Sequence, residues 1–553
     1  MTLVANRLTR TGPVRRESAL VGVGLLSRHI LRRDRVRMSV WVLSIAAFTA
    51  YFTVALRTVF DEAALAARAA VMSTPTGIIM GGPGYGLDDY TPSVAMANEG
   101  VTWIILALAI MSIVHVVRHT RAEEESSRSE LVRASAVGRH APAVAALATL
   151  VLHLLVIAGA GAALMLLAGE EIAPADALGM MLGCAGSALV FGAVALLTSQ
   201  ITAHARTATG LALAVFAASF VVRAAGDVQE VGGSALSWFS PIGWAQQMRA
   251  FVDLRWWPLA LSLAATLVLL VVAALLANRR DFGAGLLAAR PGRADARWML
   301  RTPLALAWIQ QRGGLFWTSL GTGLMFFGTG TMMSSLNDMV SDLVETNPVL
   351  GQLFGTDPSA FAASFLGVMA LFIGVTAGAY AVVMGQRPKG EEGSGRLELQ
   401  LAGPVSRWRW LGAQVVIAGS GTIIVIAVST YAMWAGTRTV GLEDPGLADF
   451  SLVVASYVPA CLVFLGLTTA LYGWAPRLTG AGWLPLAVGF FLAFFGSLFE
   501  LPEWVQGISP FHWIPDAFGD EYDAAGPVTL AAIALALLLI GILGLRRRDL
   551  QTA

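Results

Sequence analysis

Apolar residues in this chain come in long, nearly unbroken blocks, not in the short alternation of strands or the one-sided stripe of soluble helices. A helix that crosses a bilayer needs about 20 mostly apolar residues. About twelve blocks approach or exceed that length. In the first half they are 38–56, 100–117, 141–168, 177–197, 210–222 and 258–277. In the second half they are 315–336, 362–384, 411–434, 450–474, 482–499 and 527–545. Inside a bilayer every backbone polar group must be satisfied within its own segment or a closed barrel, and runs this long favour helices. The pattern predicts an all-α polytopic membrane protein.

The polar segments between the blocks repeat. Residues 121–139 read RAEEESSRSELVRASAVGR and residues 389–407 read KGEEGSGRLELQLAGPVSR, agreeing without a gap at nine of nineteen positions. Arg128 and Arg396 fix the offset at 268 residues, and Arg279-Arg280-Asp281 returns at that offset as Arg547-Arg548-Asp549. SPIGW at 240–244 returns one residue later in register as SPFHW at 509–513. Three landmarks in one register imply a tandem duplication of a six-span module. The expected organisation is a basic arm over 1–37, a first span domain over 38–281, a linker over 282–314 and a second span domain over 315–549.

Composition agrees with the blocks: 56% of residues are hydrophobic and 13% charged, against about 25% charged in soluble domains. A net charge of +1 gives no basic surface for nucleic acid. Cys184 and Cys461 both fall inside apolar blocks and suggest neither a disulfide framework nor a metal site. Arginine crowds the N-terminal arm, residues 278–301 and the C-terminal tail, whereas loops such as the one holding Asp61, Glu62, Asp88 and Asp89 are acidic. The positive-inside rule then places both termini, the linker and both copies of the Glu/Arg segment in the cytoplasm. The arm, with Arg15-Arg16 before a short apolar stretch and no small-residue cleavage site, is expected to stay attached as an amphipathic lead-in.

Exclusions narrow the function. No carboxylate lies inside the twelve blocks as drawn, and ion-coupled transporters generally carry Asp, Glu or His at depth. His153, midway along the third block without an acidic neighbour in sequence, reads as a packing residue before a relay. A nucleotide-binding P-loop needs a lysine followed by Ser or Thr, and the single lysine, Lys389, is followed by Gly390. The chain is therefore expected to be no enzyme itself, and any ATP-driven motor must be a separate chain.

The repeated segment has two readings. Glu124 and Arg128, like Glu392 and Arg396, are spaced i,i+4 with the acid first, the favourable order on a helix surface. Each segment is either a solvated helix joining two spans or a docking element for a partner. Such pairs contribute only about 0.2–0.5 kcal/mol each, so helix stability alone hardly requires the pattern twice.

On these residues the chain resembles the membrane subunit of an ATP-binding-cassette exporter of the type-2 permease class. More narrowly, it is similar to actinobacterial polyketide-antibiotic or multidrug exporters of the tetronasin-resistance group. The likeness rests on 118–139, its echo at 386–407, SPIGW, SPFHW and the closing Arg-Arg-Asp, and it extends over essentially the whole chain. It implies that the loop between the second and third span of each half is a coupling helix seated on an ATPase. Those positions are Glu123, Glu124, Arg128 and Glu130, then Glu391, Glu392, Arg396 and Glu398. The copies differ at Ser127 for Gly395 and Ala136 for Pro404, so the two helices need not be equivalent. The resemblance further implies one such chain with two ATPase subunits, which would bind the ATP and magnesium; this chain itself is expected to hold no cofactor and no metal.

Class members line a substrate cavity with the second and fifth spans. Here those offer Trp103, Met111, Phe216 and Phe220, then Phe372, Phe490, Phe491, Phe494 and Phe495. An aromatic, Met-containing wall suits hydrophobic or amphiphilic small molecules, though the same residues also serve ordinary packing or lipid contact. Pro241, Trp244, Pro510 and Trp513 occupy the position of the outer re-entrant helices, as gate or as interfacial anchors. The expectation is a plasma-membrane exporter of drugs or antibiotics. A lipid, glycolipid or cell-wall precursor is the alternative cargo, and an ion-coupled transporter the remaining one.

Overall fold

The computed structural model describes residues 19–126, 137–169, 172–281, 283–287, 295, 300, 302–333, 358–496, 501–519 and 522–550. Among them every regular element is a helix. Arg128 and Glu130 lie outside the described residues. The chain divides into two compact units, Met1–Pro291 and Gly292–Ala553.

The first unit contains α1 (Val23–Thr58), α2 (Pro92–Glu125), α3 (Ala141–Ala168), α4 (Pro174–Ile201), α5 (Ala205–Gln229) and α6 (Trp257–Arg279). The second contains α7 (Pro303–Thr331), α8 (Pro358–Gly393), α9 (Arg407–Thr439), α10 (Leu447–Trp474), α11 (Trp483–Phe495) and α12 (Ala525–Arg547). Eleven helices among the described residues are long and apolar enough to span a membrane; α7, which carries most of the 315–336 block, is not one of them. This is a polytopic, all-helical membrane protein.

Several helices outrun their apolar blocks. The first begins at Val23 and not at Met38, so Arg28 to Arg37 are helical. The fifth covers Ala205–Gln229, well beyond the block at 210–222. These extensions bring carboxylates into the helices: Asp34 on α1, Glu99 on α2 and Asp227 on α5, all buried. A block-based reading misses them because each has a specific partner that makes burial tolerable. Glu99 is bound by Arg68 and by the Tyr90 hydroxyl. Asp227 takes Arg223 and the Ser237 hydroxyl, while Arg223 also donates to the carbonyls of Ile78 and Ile79.

In each unit the fourth span is the packing centre. Phe191 and Cys184 of α4 and Phe464 and Cys461 of α10 are almost wholly buried. Contact between α10 and α12 depends on small residues. A Cβ on Gly473 would sit 2.2 Å from the Gly541 carbonyl oxygen. Such close backbone approach is how membrane helices gain dispersion contact without a hydrophobic driving force. By contrast α6 presents Leu263, Leu267, Val268 and Val271 outward, as a lipid-facing span does.

Candidate functional site: the duplicated coupling segment

In the second unit α8 ends at Gly393, and a tight turn follows. Gly395 adopts φ 71°, a left-handed conformation that suits glycine and starts the short helix Arg396–Leu401. The turn breaks the expected i,i+4 pairing. Glu392 does not meet Arg396; it is bound by Arg548, Nη1 to Oε1 at 2.8 Å and Nη2 to Oε2 at 2.6 Å, and by the Tyr472 hydroxyl at 2.8 Å. Arg396 instead lies 3.3 Å from Glu391. Burial works against the charge on Arg548, but the hydrogen bonds and charge of Glu392 outweigh it and leave its pKa raised.

The first unit repeats the device. Glu124 accepts from Arg280 at 2.7 Å through Oε1 and from Arg121 at 2.7 Å through Oε2. Arg121, fully buried, also donates to the carbonyls of Ala203, Gly283 and Ala284. Glu123 binds Arg33 at 2.7 Å. Glu124 and Glu392 therefore stand at corresponding repeat positions and each fastens the end of the second span to the Arg-Arg-Asp that closes the sixth. Both carboxylates are engaged by side chains of their own unit. The sequence held the clue: Arg280 and Arg548 share the 268-residue offset of the two glutamates.

The outward face is carried by other side chains. Leu397 is buried with Trp410, Leu411, Tyr472 and Leu545, and the Trp410 indole donates to Gln400 at 2.8 Å. With Leu397 turned inward, Arg396, Glu398 and Leu399 are exposed, Leu399 at 80%. The short helix Arg396–Leu401 thus shows one apolar side chain beside two charged ones on its open face.

The SPIGW and SPFHW segments also fold alike. Ser240 caps the helix Pro241–Gln246, and Ser509 caps the 3-10 turn Pro510–Trp513. The Trp244 indole reaches back to the Trp238 carbonyl at 2.6 Å, and Trp513 reaches back to Gly507 at 2.9 Å, six residues in each case. Pro241 is buried at the first helical position, where its missing N–H costs nothing.

The proposed cavity residues divide. Met111 is buried and lines a cavity of about 250 Å³ with Asp34, Trp41, His115 and His153. Phe216 packs edge-on against Phe191, and Phe220 lies under the Arg223 guanidinium. Trp103 is half-exposed. In the second unit Phe372 of α8 meets Phe490 and Phe494 of α11 at 5.7 and 5.8 Å, joining second and fifth spans through one aromatic cluster. Phe491 and Phe495 lie 5.3 Å apart with their rings tilted at 37°. His153 is not isolated: its ring lies 5.8 Å from His115, which neighbours His119 and Asp34.

A family model described as multidrug efflux system permease Rv1217c, C-terminal domain, matches residues 300–546. The multidrug efflux system permease protein Rv1217c of Mycobacterium tuberculosis (strain ATCC 25618 / H37Rv) is 37% identical over 542 residues, 97% of this chain and 96% of that protein. The chain belongs to this permease family. Its duplicated staples thus lie in a member of a family whose curated relative is named as a permease, a transport subunit.

Proposed function

We propose that this chain is the membrane-spanning permease of an ATP-driven exporter of drugs, antibiotics or similar amphiphilic compounds. ATP and magnesium would be held by separate ATPase subunits, two per chain, docked on its two coupling segments. The observation that carries the reading is the duplicated staple. It ties each segment at the end of the second span to the end of the sixth, so a push on the segment reaches two spans at once. The exposed Arg396, Glu398 and Leu399 would meet the ATPase in the second unit, while Glu124 and Glu392 transmit its motion inward. Both termini would be cytoplasmic, since the arm and the tail are each rich in arginine.

Nucleotide and cargo must favour different arrangements of the span bundle for coupling to occur. The aromatic cluster of Phe372, Phe490 and Phe494 and the Met111 cavity are the apolar surfaces such a cargo would use. Inverted membrane vesicles carrying this chain and its ATPase should accumulate a fluorescent hydrophobic drug when ATP is added, and not when either chain is missing. Accumulation driven by a proton gradient without ATP would support the ion-coupled alternative instead. Movement of labelled phospholipid, but not drug, would assign the lipid reading.

A further inference from the structure

Asp34, His115 and His119 come together inside the first unit, all three buried, with one donor atom of each within 4.8 Å of the others. The Asp34 Oδ2 to His119 Nε2 separation is 2.7 Å. We infer that this cluster is a binding site for a divalent transition-metal ion of the zinc class, with Asp34 Oδ2, His119 Nε2 and His115 Nδ1 as ligands. Two imidazoles and a carboxylate form the three-ligand set that leaves a fourth, open position on such an ion.

The surroundings fit a ligand set and not only a packed polar cluster. His115 Nε2 faces the Ala146 carbonyl at 3.2 Å and the Thr149 hydroxyl at 3.1 Å. A carbonyl can only accept, so Nε2 carries the proton and Nδ1 is left with its lone pair. His119 is 2% exposed, yet its Nδ1 has no hydrogen-bond partner. Glu123 Oε1 stands 3.9 Å from that nitrogen. Once an ion occupies Nε2, the ring proton moves to Nδ1, where a small shift of Glu123 accepts it. A carboxylate behind a metal-bound histidine is the usual outer contact.

Arg118 lies 3.2 Å from Asp34 Oδ1, the other carboxylate oxygen. It balances the buried charge when no ion is present and turns Oδ2 toward the imidazoles. A tetrahedron with bonds near 2.0 Å has edges of roughly 3.3 Å, so on binding Asp34 Oδ2 and His119 Nε2, hydrogen-bonded at 2.7 Å, part to admit the ion while the His115 ring turns toward them. The cavity of about 250 Å³ beside His115 holds Met111 and His153 and leaves room for water or a fourth ligand. An ion here would tie α1 to α2 one turn before the first coupling segment.

The test uses full-length protein in nanodiscs, purified on a tag without histidine and stripped with chelator. Co2+ is titrated and followed by its visible d–d absorption, then displaced by Zn2+. The expected result is one tetrahedral-type Co2+ per chain, with absorption lost in His115→Ala and in His119→Ala. Glu123→Gln should keep the absorption but weaken binding about 10-fold or more. Wild-type protein should also unfold at higher temperature with Zn2+, a readout that needs no variant to fold. No d–d absorption in monodisperse wild type, or absorption unchanged in the His115→Ala/His119→Ala double variant, would overturn the site. Neither readout involves ATPase or transport, so the exporter reading stands or falls separately.

Discussion

Glu392 and Arg548, 156 residues apart, are joined by two hydrogen bonds of 2.8 and 2.6 Å, and Glu124 and Arg280, also 156 apart, repeat the contact at 2.7 Å. A duplicated sequence keeps a duplicated long-range ion pair. In both units it joins the last turn of the second-span helix to the residue that follows the sixth. The pair fixes the same two points to each other in both units, which accounts for Glu-Glu and Arg-Arg-Asp recurring together in the two repeats.

Removing one partner of a buried pair costs about 3–5 kcal/mol, because the other charge stays desolvated and unpaired. Glu392→Ala should therefore lower the thermal unfolding midpoint of purified protein markedly, and Glu124→Ala should do so in the first unit. The exchange Glu392→Arg/Arg548→Glu should recover part of the loss. Equal losses in the single variants and the exchange would mean that the contact contributes nothing specific.

The indoles of Trp244 and Trp513 each close one hydrogen bond six residues back. Replacement by Phe keeps an aromatic ring, though a smaller one, and deletes the bond, at about 1 kcal/mol each. Hydrogen exchange should increase in the 238–246 and 507–513 segments while the spans stay protected. Exchange unchanged in both segments would show that the indole bonds do not hold them.

Gly473 packs against Gly541 and Gly544, with no room for a side chain. Gly473→Leu should separate α10 from α12 and abolish monodisperse protein on size exclusion. Gly390→Ala, at a helical position where an added Cβ meets nothing within 4 Å, should be neutral. A Gly473→Leu variant that elutes as wild type would contradict the close α10–α12 approach.

Much of this architecture was legible in the chain. The apolar blocks located the spans, and the 268-residue offset located the repeat. What the blocks could not show was where helices continue past their apolar parts, since Asp34, Glu99 and Asp227 break a hydropathy pattern but not a helix once each has a partner. The i,i+4 reading of Glu392 with Arg396 failed for a local reason: Gly395 turns the backbone between them. Glu398 is exposed and Glu392 buried because the face turned toward Trp410 and Tyr472 is set by tertiary packing and not by spacing. His153 looked solitary because its neighbours come from two other helices, His115 being 38 positions away and Asp34 119.

In the proposed exporter the outward face of the segment Arg396–Leu401 seats an ATPase. The most direct measurement is affinity purification from native membrane in mild detergent, with stoichiometry by mass spectrometry, of wild type beside Glu398→Arg/Leu399→Asp. Both substitutions are on exposed positions and should change stability by no more than about 0.5 kcal/mol. About two ATPase copies per chain are expected in wild type, with at least one lost in the variant and the unfolding temperature unchanged. Recovery of wild-type stoichiometry from the variant, or no ATPase from wild type, would contradict that seating.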